Sequence, residues 1–274
     1  MDLGIAGRVA LVAGASRGMG RASAELLAAE GCRVGLVARG KADLEAVAEE
    51  IAAAGGEAVP VVADLGSPEG VRAAVEAVTA AYGEPEIVVG QNSDGTLGGF
   101  DDTTDDDYER VFRAFTMSQV YLARATVGAM KRKGWGRYIH IGSANGKEPQ
   151  LSHPHIVHNC VRPSTVAFLR VLAEELAPHG TTVNVVGPGL TATGALAYYI
   201  EHEMGLTTEQ GADWLAGRPV EGIQGGQGPV GLPMGRAAQP REIGGVVTFL
   251  ASELAGYLTG EFIAVDGGRH RFAF

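Results

Sequence analysis

A chain of 274 residues, 46% hydrophobic, is long enough for one large α/β domain with an ample core. Its formal net charge of −10 argues against nucleic acid or an anionic membrane as partner, so any bound phosphate must be held by local basic residues. No apolar run approaches the ~20 residues of a membrane span, and Met1 to Gly7 lacks the basic start and apolar core of a signal peptide. The two cysteines, Cys32 and Cys160, make no disulfide framework, and a cytoplasmic setting is expected.

The first predicted strand, Val9–Ala13, ends in a turn carrying Gly14, Gly18 and Gly20 and passes at once into an Ala-rich helix. A buried strand turning through glycines into a helix N-terminus builds a phosphate site. Glycine tolerates the turn and lets a ligand approach the backbone, while free N–H groups and the helix dipole face the anion. The spacing is G-x-x-x-G-x-G rather than the commoner G-x-G-x-x-G. The strand before it and the helix after it favour a nucleotide site over a plain turn.

Arg33–Ala38 reads as a second strand, followed by a helix with Leu44, Val47, Ala48 and Ile51 on one stripe and Gly55-Gly56 as its stop. A third strand at 58–63 leads into Asp64-Leu65, and Ser67 with Pro68 opens a helix through Tyr82. A fourth strand covers 86–90. Strands and helices alternating at these lengths imply right-handed crossovers and a parallel sheet covered on both faces.

Residues 95–107 read as a loop with an acidic run. Thr104 and Asp107 have capping-box spacing, which makes the run a solvated helix N-terminus rather than a calcium loop. A long helix is expected over 105–133, then a strand at 137–141 running into Gly142-Ser143. A histidine-rich stretch, a helix ending near His179 and a strand at 182–186 follow, before Gly187-Pro188-Gly189. Residues 191–235 show no strand pattern, only one helical segment (ALAYYIEHEM) and a Gly-rich tail, and read as a substrate lid. A helix at 240–254 and a strand at 261–265 close the chain. His140, inside a strand, reads as a buried histidine with a hydrogen-bond partner. Tyr198, Tyr199 and Trp214 fit either an apolar substrate pocket or ordinary packing.

Several stretches resemble the short-chain dehydrogenase/reductase family: GASRGMG at 14–20, ADL at 63–65, NVVGPGLTAT at 184–193, and the ending at 235–268. The resemblance spans about residues 5–268. It implies a Rossmann-type, doubly wound α/β fold of seven parallel strands, one dinucleotide-binding domain over 1–274, and assembly as a homo-oligomer. It also implies a nicotinamide dinucleotide and a small-molecule substrate. The cofactor positions carried over are Gly14, Ser16, Arg17, Gly18, Met19 and Gly20 in the turn. Asp64 and Leu65 would bracket the adenine, Gln91 would follow the fourth strand, and Pro188, Gly189, Leu190 and Thr193 the sixth. Asp or Glu after the second strand would accept from a ribose 2′-hydroxyl. Here that place holds Ala38-Arg39, and Arg17 lies in the glycine turn, so a 2′-phosphate and hence NADP(H) is expected. The competing reading has Arg39 merely capping the strand and facing solvent.

The catalytic positions depart from the family. Its Asn-Asn-Ala-Gly becomes Gly90-Gln91-Asn92-Ser93, and its Asn in the long helix aligns with Phe115. The Ser after the fifth strand survives as Ser143. Tyr-x-x-x-Lys becomes His158-Asn159-Cys160-Val161-Arg162, a register fixed by the downstream STVAFLRVLAEEL. Two readings compete. In one, His158 donates the proton, Ser143 polarises the substrate atom and Arg162 forks onto ribose hydroxyls. An adjacent guanidinium and an oxidised nicotinamide both disfavour imidazolium, so His158 should then act best at low pH. In the other, the site serves a non-redox enzyme or an NADP(H)-binding sensor. The halohydrin dehalogenases resemble the family, carry Arg in place of Lys and do no redox chemistry, but they lose the glycine turn kept here. Pro163 is expected to kink or delay the helix and disturb the 158/162 pair. His153, His155, His158 and Cys160 fit no common zinc spacing. No metal is expected, and His153 and His155 read as loop residues at the substrate cleft.

Overall fold

The computed structural model describes residues 2–92, 95–149, 155–202, 204–218, 220 and 232–272. Ser93, His153, Pro154 and the Gly-rich tail at 222–231 lie outside them. Seven parallel strands form the expected Rossmann-type sheet in the order β3-β2-β1-β4-β5-β6-β7. They are β1 Val9–Ala13, β2 Arg33–Ala38, β3 Glu57–Val62, β4 Ile87–Gly90, β5 Gly136–Ile141, β6 Thr181–Pro188 and β7 Phe262–Val265. The chain reverses its direction of travel across the sheet between β1 and β4, where a crevice opens at the carboxyl ends of the strands.

Every residue of β1, β4, β5 and β6 is buried, which explains their near-continuous apolar runs: helices cover both faces. Alternate residues of β1 feed two cores. Ala10 and Val12 pack with Leu27 of α1 (Gly18–Ala29), Leu44 and Ile51 of α2 (Lys41–Ala53) and Val247 of α9 (Pro240–Ala251). Val9, Leu11 and Ala13 pack with Val78 of α3 (Pro68–Tyr82), Leu122 of α5 (Ser118–Lys133) and Leu169 of α6 (Ile156–Leu176). The Ser67 hydroxyl accepts from the Gly70 N–H at 3.0 Å and opens α3. The Thr104–Asp107 capping box opens α4, Asp105–Phe112.

Two helices differ from expectation. The long helix over 105–133 is two helices, α4 and α5, joined by a π turn at Arg113–Met117. Such turns concentrate at functional sites. Pro163, in contrast, does not interrupt α6. It withholds an N–H from the Asn159 carbonyl, but Val157 and Val161 pack on Val111 and Phe115, which holds the first two turns in place.

Between β6 and α9 lie α7 (Gly194–His202) and α8 (Thr208–Leu215), the second unforeseen. They build a satellite core of Ile200, Trp214 and Val220, with Tyr199 against it. Trp214 is therefore packing, whereas Tyr198 is exposed and stacks on His202 at 3.9 Å. The insertion leaves and returns through one neck, where Ala238 N–H donates to Leu190 O at 2.9 Å and Ala192 N–H to Ala238 O at 2.8 Å. Among the described residues no helix is long and apolar enough to cross a membrane.

Candidate active site

The glycine turn stands at the β1/β4 crevice. Gly14 and Gly18 have φ of 65° and 60°, and a Cβ on Gly20 would stand 2.4 Å from the Gly14 carbonyl oxygen. Any larger residue at 20 would push the turn off the helix N-terminus that it serves. Thr193 reaches the same place: its Cγ2 lies 3.3 Å from where a Cβ on Gly18 would stand. Ser16 and Met19 are half-buried. Arg17 and Arg39 are exposed, and neither guanidinium makes a hydrogen bond or ion pair among the described residues. Leu65 is buried, while the Asp64 carboxylate closes a turn by accepting from Gly66 N–H at 2.9 Å. Pro188 ends β6, and Gly189 sits where a Cβ would meet Asp266 Cα at 2.7 Å. Leu190 packs against the satellite core of the insertion.

The carboxyl end of β4 is rebuilt around its unusual residues. A Cβ on Gly90 would stand 2.1 Å from Gln119 Oε1, so glycine makes room for that amide. Gln119 is fully buried and accepts from the Tyr138 hydroxyl at 3.1 Å, while its Nε2 donates to Ser118 Oγ at 3.3 Å. Asn92 Nδ2 donates to Ser118 Oγ and to the Ala114 carbonyl inside the π turn. Gln91 Oε1 is buried beneath the glycine turn with no hydrogen-bond partner among the described residues. The Gln119–Tyr138–Asn92 network was missed from the sequence, where its single trace is a glycine ending an otherwise bulky strand.

Beyond β5, Ser143 Oγ makes only long contacts among the described residues, 3.4 Å to Asn145 Oδ1 and 3.4 Å from Asn145 N–H, so its hydroxyl is weakly committed there. Asn145 Nδ2 donates to Asn159 Oδ1 at 3.0 Å and ties this turn to α6. On α6, His158 is buried with its ring 5.4 Å from Phe115, edge to face, and Arg162 Cζ lies 5.3 Å over the same phenyl ring. The π turn and the first turns of α6 thus bring positions 115, 158 and 162 together. His155, which opens α6, places its ring 5.9 Å from His158. His140 Nδ1–H donates to the Gly90 carbonyl at 3.1 Å, and burial pushes its imidazole down to about 4 with the Arg162 charge adding to the fall. Burial likewise pushes the Arg162 guanidinium down to about 10.

Comparison with known proteins agrees with this geometry. Residues 8–203 match the family described as short chain dehydrogenase, and residues 229–270 match that described as enoyl-(acyl carrier protein) reductase. An uncharacterized oxidoreductase of Methylorubrum extorquens is 34% identical over 267 residues, 96% of this chain and 97% of its own. The 3-oxoacyl-(acyl-carrier-protein) reductase of Escherichia coli is 33% identical over 269 residues, 96% of this chain and 98% of its own. The crystal structure of L-sorbose reductase from Gluconobacter frateurii, complexed with NADPH and L-sorbose, superimposes with a TM-score of 0.88 at 29% identity, covering 99% of this chain and 100% of that one. A full-length match to such reductases, on a seven-stranded sheet with the glycine turn at its switch point, places this chain in the short-chain dehydrogenase/reductase family.

Proposed function

We propose that this chain is an NADP(H)-dependent oxidoreductase that delivers hydride to a carbonyl, imine or activated alkene of a small organic substrate. The observation that carries the reading is the cradle at Gly14, Gly18 and Gly20, open only because position 20 has no Cβ. Such a cradle receives a pyrophosphate. Arg17 and Arg39, both exposed, would take the 2′-phosphate by charge-assisted bonds. The NADPH held by the sorbose reductase supports the same choice. When bound, the reduced nicotinamide supplies the hydride. Ser143 donates a hydrogen bond to the substrate atom that gains charge, His158 as imidazolium gives that atom its proton, and Arg162 holds the ribose hydroxyls. One domain over 1–274 carries the site, with 191–235 as its lid.

The first test is fluorescence titration of the purified protein with NADPH and NADH. NADPH is expected to bind at least roughly tenfold tighter, as a paired 2′-phosphate requires. Binding of neither would move the chain to non-redox chemistry. The second is His158→Phe, which should lower turnover by about 10²–10⁴-fold, the usual worth of a general acid, with NADPH affinity nearly unchanged. Undiminished turnover would remove His158 from the mechanism.

A further inference from the structure

Among the described residues, Arg162 is a cation with no counter-charge. Its Nε is buried and meets no hydrogen-bond acceptor among the described residues, and Cζ faces the Phe115 ring. Burial alone depresses its basicity, with no carboxylate among the described residues holding it up. Acids on other elements are engaged with partners of their own. Asp102 accepts from Gly99 N–H, Glu148 from Arg271 N–H, and Asp266 from His270. The other groups here, His140, His155 and His158, are basic as well. An imidazole at position 158 is neutral or positive and never supplies a negative charge. Ribose hydroxyls would satisfy guanidinium N–H groups but leave the charge unbalanced, which is costly in a desolvated site.

We infer that the substrate brings the missing charge: the compound reduced here is an oxo acid, whose carboxylate pairs with Arg162 while its carbonyl faces His158. The inference rests on the hydride-transfer reading above. Residues four apart on a helix lie roughly 5–6 Å from each other at Cβ, so the two groups that they grip must be close neighbours, as in a 2-oxo or 3-oxo acid. In the step, a C–H bond of the reduced nicotinamide breaks and a new one forms at the carbonyl carbon. The π pair passes to oxygen, which takes a proton from His158, and His158 is reprotonated from solvent. The nicotinamide is oxidised by two electrons, the carbonyl is reduced to a hydroxyl, and the carboxylate leaves unchanged as part of a hydroxy acid.

The test compares 2-oxo-4-phenylbutyrate with its ethyl ester, which removes the charge and keeps the reacting carbonyl. NADPH consumption by the wild type should favour the acid on the order of 100-fold in kcat/KM, the usual consequence of a desolvated charge pair. Arg162→Lys should keep most of that preference, and Arg162→Met should flatten it to within about threefold. Both substrates use one cofactor, so weakened cofactor binding in a variant cancels from the ratio. An ester reduced as well as the acid by the wild type overturns the inference. If neither compound is reduced, calorimetric titration of the NADPH complex decides. Acid binding that Arg162→Met abolishes keeps the anion site and discards hydride transfer, whereas acid binding no tighter than ester binding discards the anion site.

Discussion

His140 shows how one buried side chain ties β5 to solution pH. Its Nδ1–H is committed to the Gly90 carbonyl, and the rest of the ring sits in the sheet. The folded chain holds it neutral down to about 4, against an ordinary value of 6.5. Between those values the unfolded chain binds a proton that the folded chain refuses. Stability is therefore fully present above the unfolded value and is lost as pH falls through the window. From pH 7 to pH 5 this one group should withdraw about 2 kcal/mol of folding free energy. Urea unfolding of the wild type and of His140→Gln at the two pH values checks it. The variant, which cannot titrate there, should show a visibly shallower loss, and parallel losses would assign the pH dependence to other groups. Arg162 supplies part of the same field, since its charge also opposes a proton on His140. An anion paired with Arg162 should for that reason ease the strand's sensitivity to acid.

At the scale of elements, the strands were legible because burial on both faces writes itself as apolar runs. β1 and β2 fall where the sequence puts them, and β3 to β7 shift by a residue or two at their ends. The caps of α3 and α4 were legible for a similar reason, since Ser67 and Thr104 act within a few residues of themselves. What the sequence hid is long-range. The π turn depends on Asn92 reaching the Ala114 carbonyl and on Phe115 meeting α6, contacts that no local periodicity encodes. Pro163 misled in the opposite direction, because tertiary packing outweighs its local cost. The site divides likewise. The glycine turn announces itself locally and the family resemblance groups positions 115, 158 and 162, whereas the place of His155 beside His158 and the packing of both His158 and Arg162 on Phe115 appear only once the π turn and α6 are docked. Gly90 tests the hidden part. A methyl group there would displace a fully buried Gln119 from Tyr138, so Gly90→Ala should cost about 1–3 kcal/mol as an overpacked core site. Adding Gln119→Ser should return part of that cost. A double-mutant cycle by chemical denaturation measures it, and additive losses would show that the two positions do not share one space.

Over the whole molecule, two bodies of different kind meet at a backbone neck, with a further contact where Met234 N–H donates to the Gly267 carbonyl at 3.2 Å. The sheet and its flanking helices bury two continuous cores, while α7 and α8 close around their own small cluster of Ile200, Trp214 and Val220. Chain leaves the sheet after Leu190 and comes back at Ala238, held together there by the paired backbone of residues 190–192 and 238. A segment pinned at its neck and packed on itself can open or be removed without unravelling the rest. Replacing residues 195–234 by a flexible linker of about eight Gly and Ser residues should leave a folded, dinucleotide-binding protein. Thr193 and the glycine turn remain in that variant, so NADPH affinity should fall by no more than about tenfold. Turnover should fall much further, because a lid acts by excluding water and completing the pocket over the substrate. Circular dichroism, NADPH fluorescence and steady-state kinetics separate the three quantities. Loss of the fold would make the insertion part of the scaffold. Full turnover without it would mean that the substrate is gripped wholly by the sheet ends, with Ser143, His158 and Arg162 as its entire polar surface.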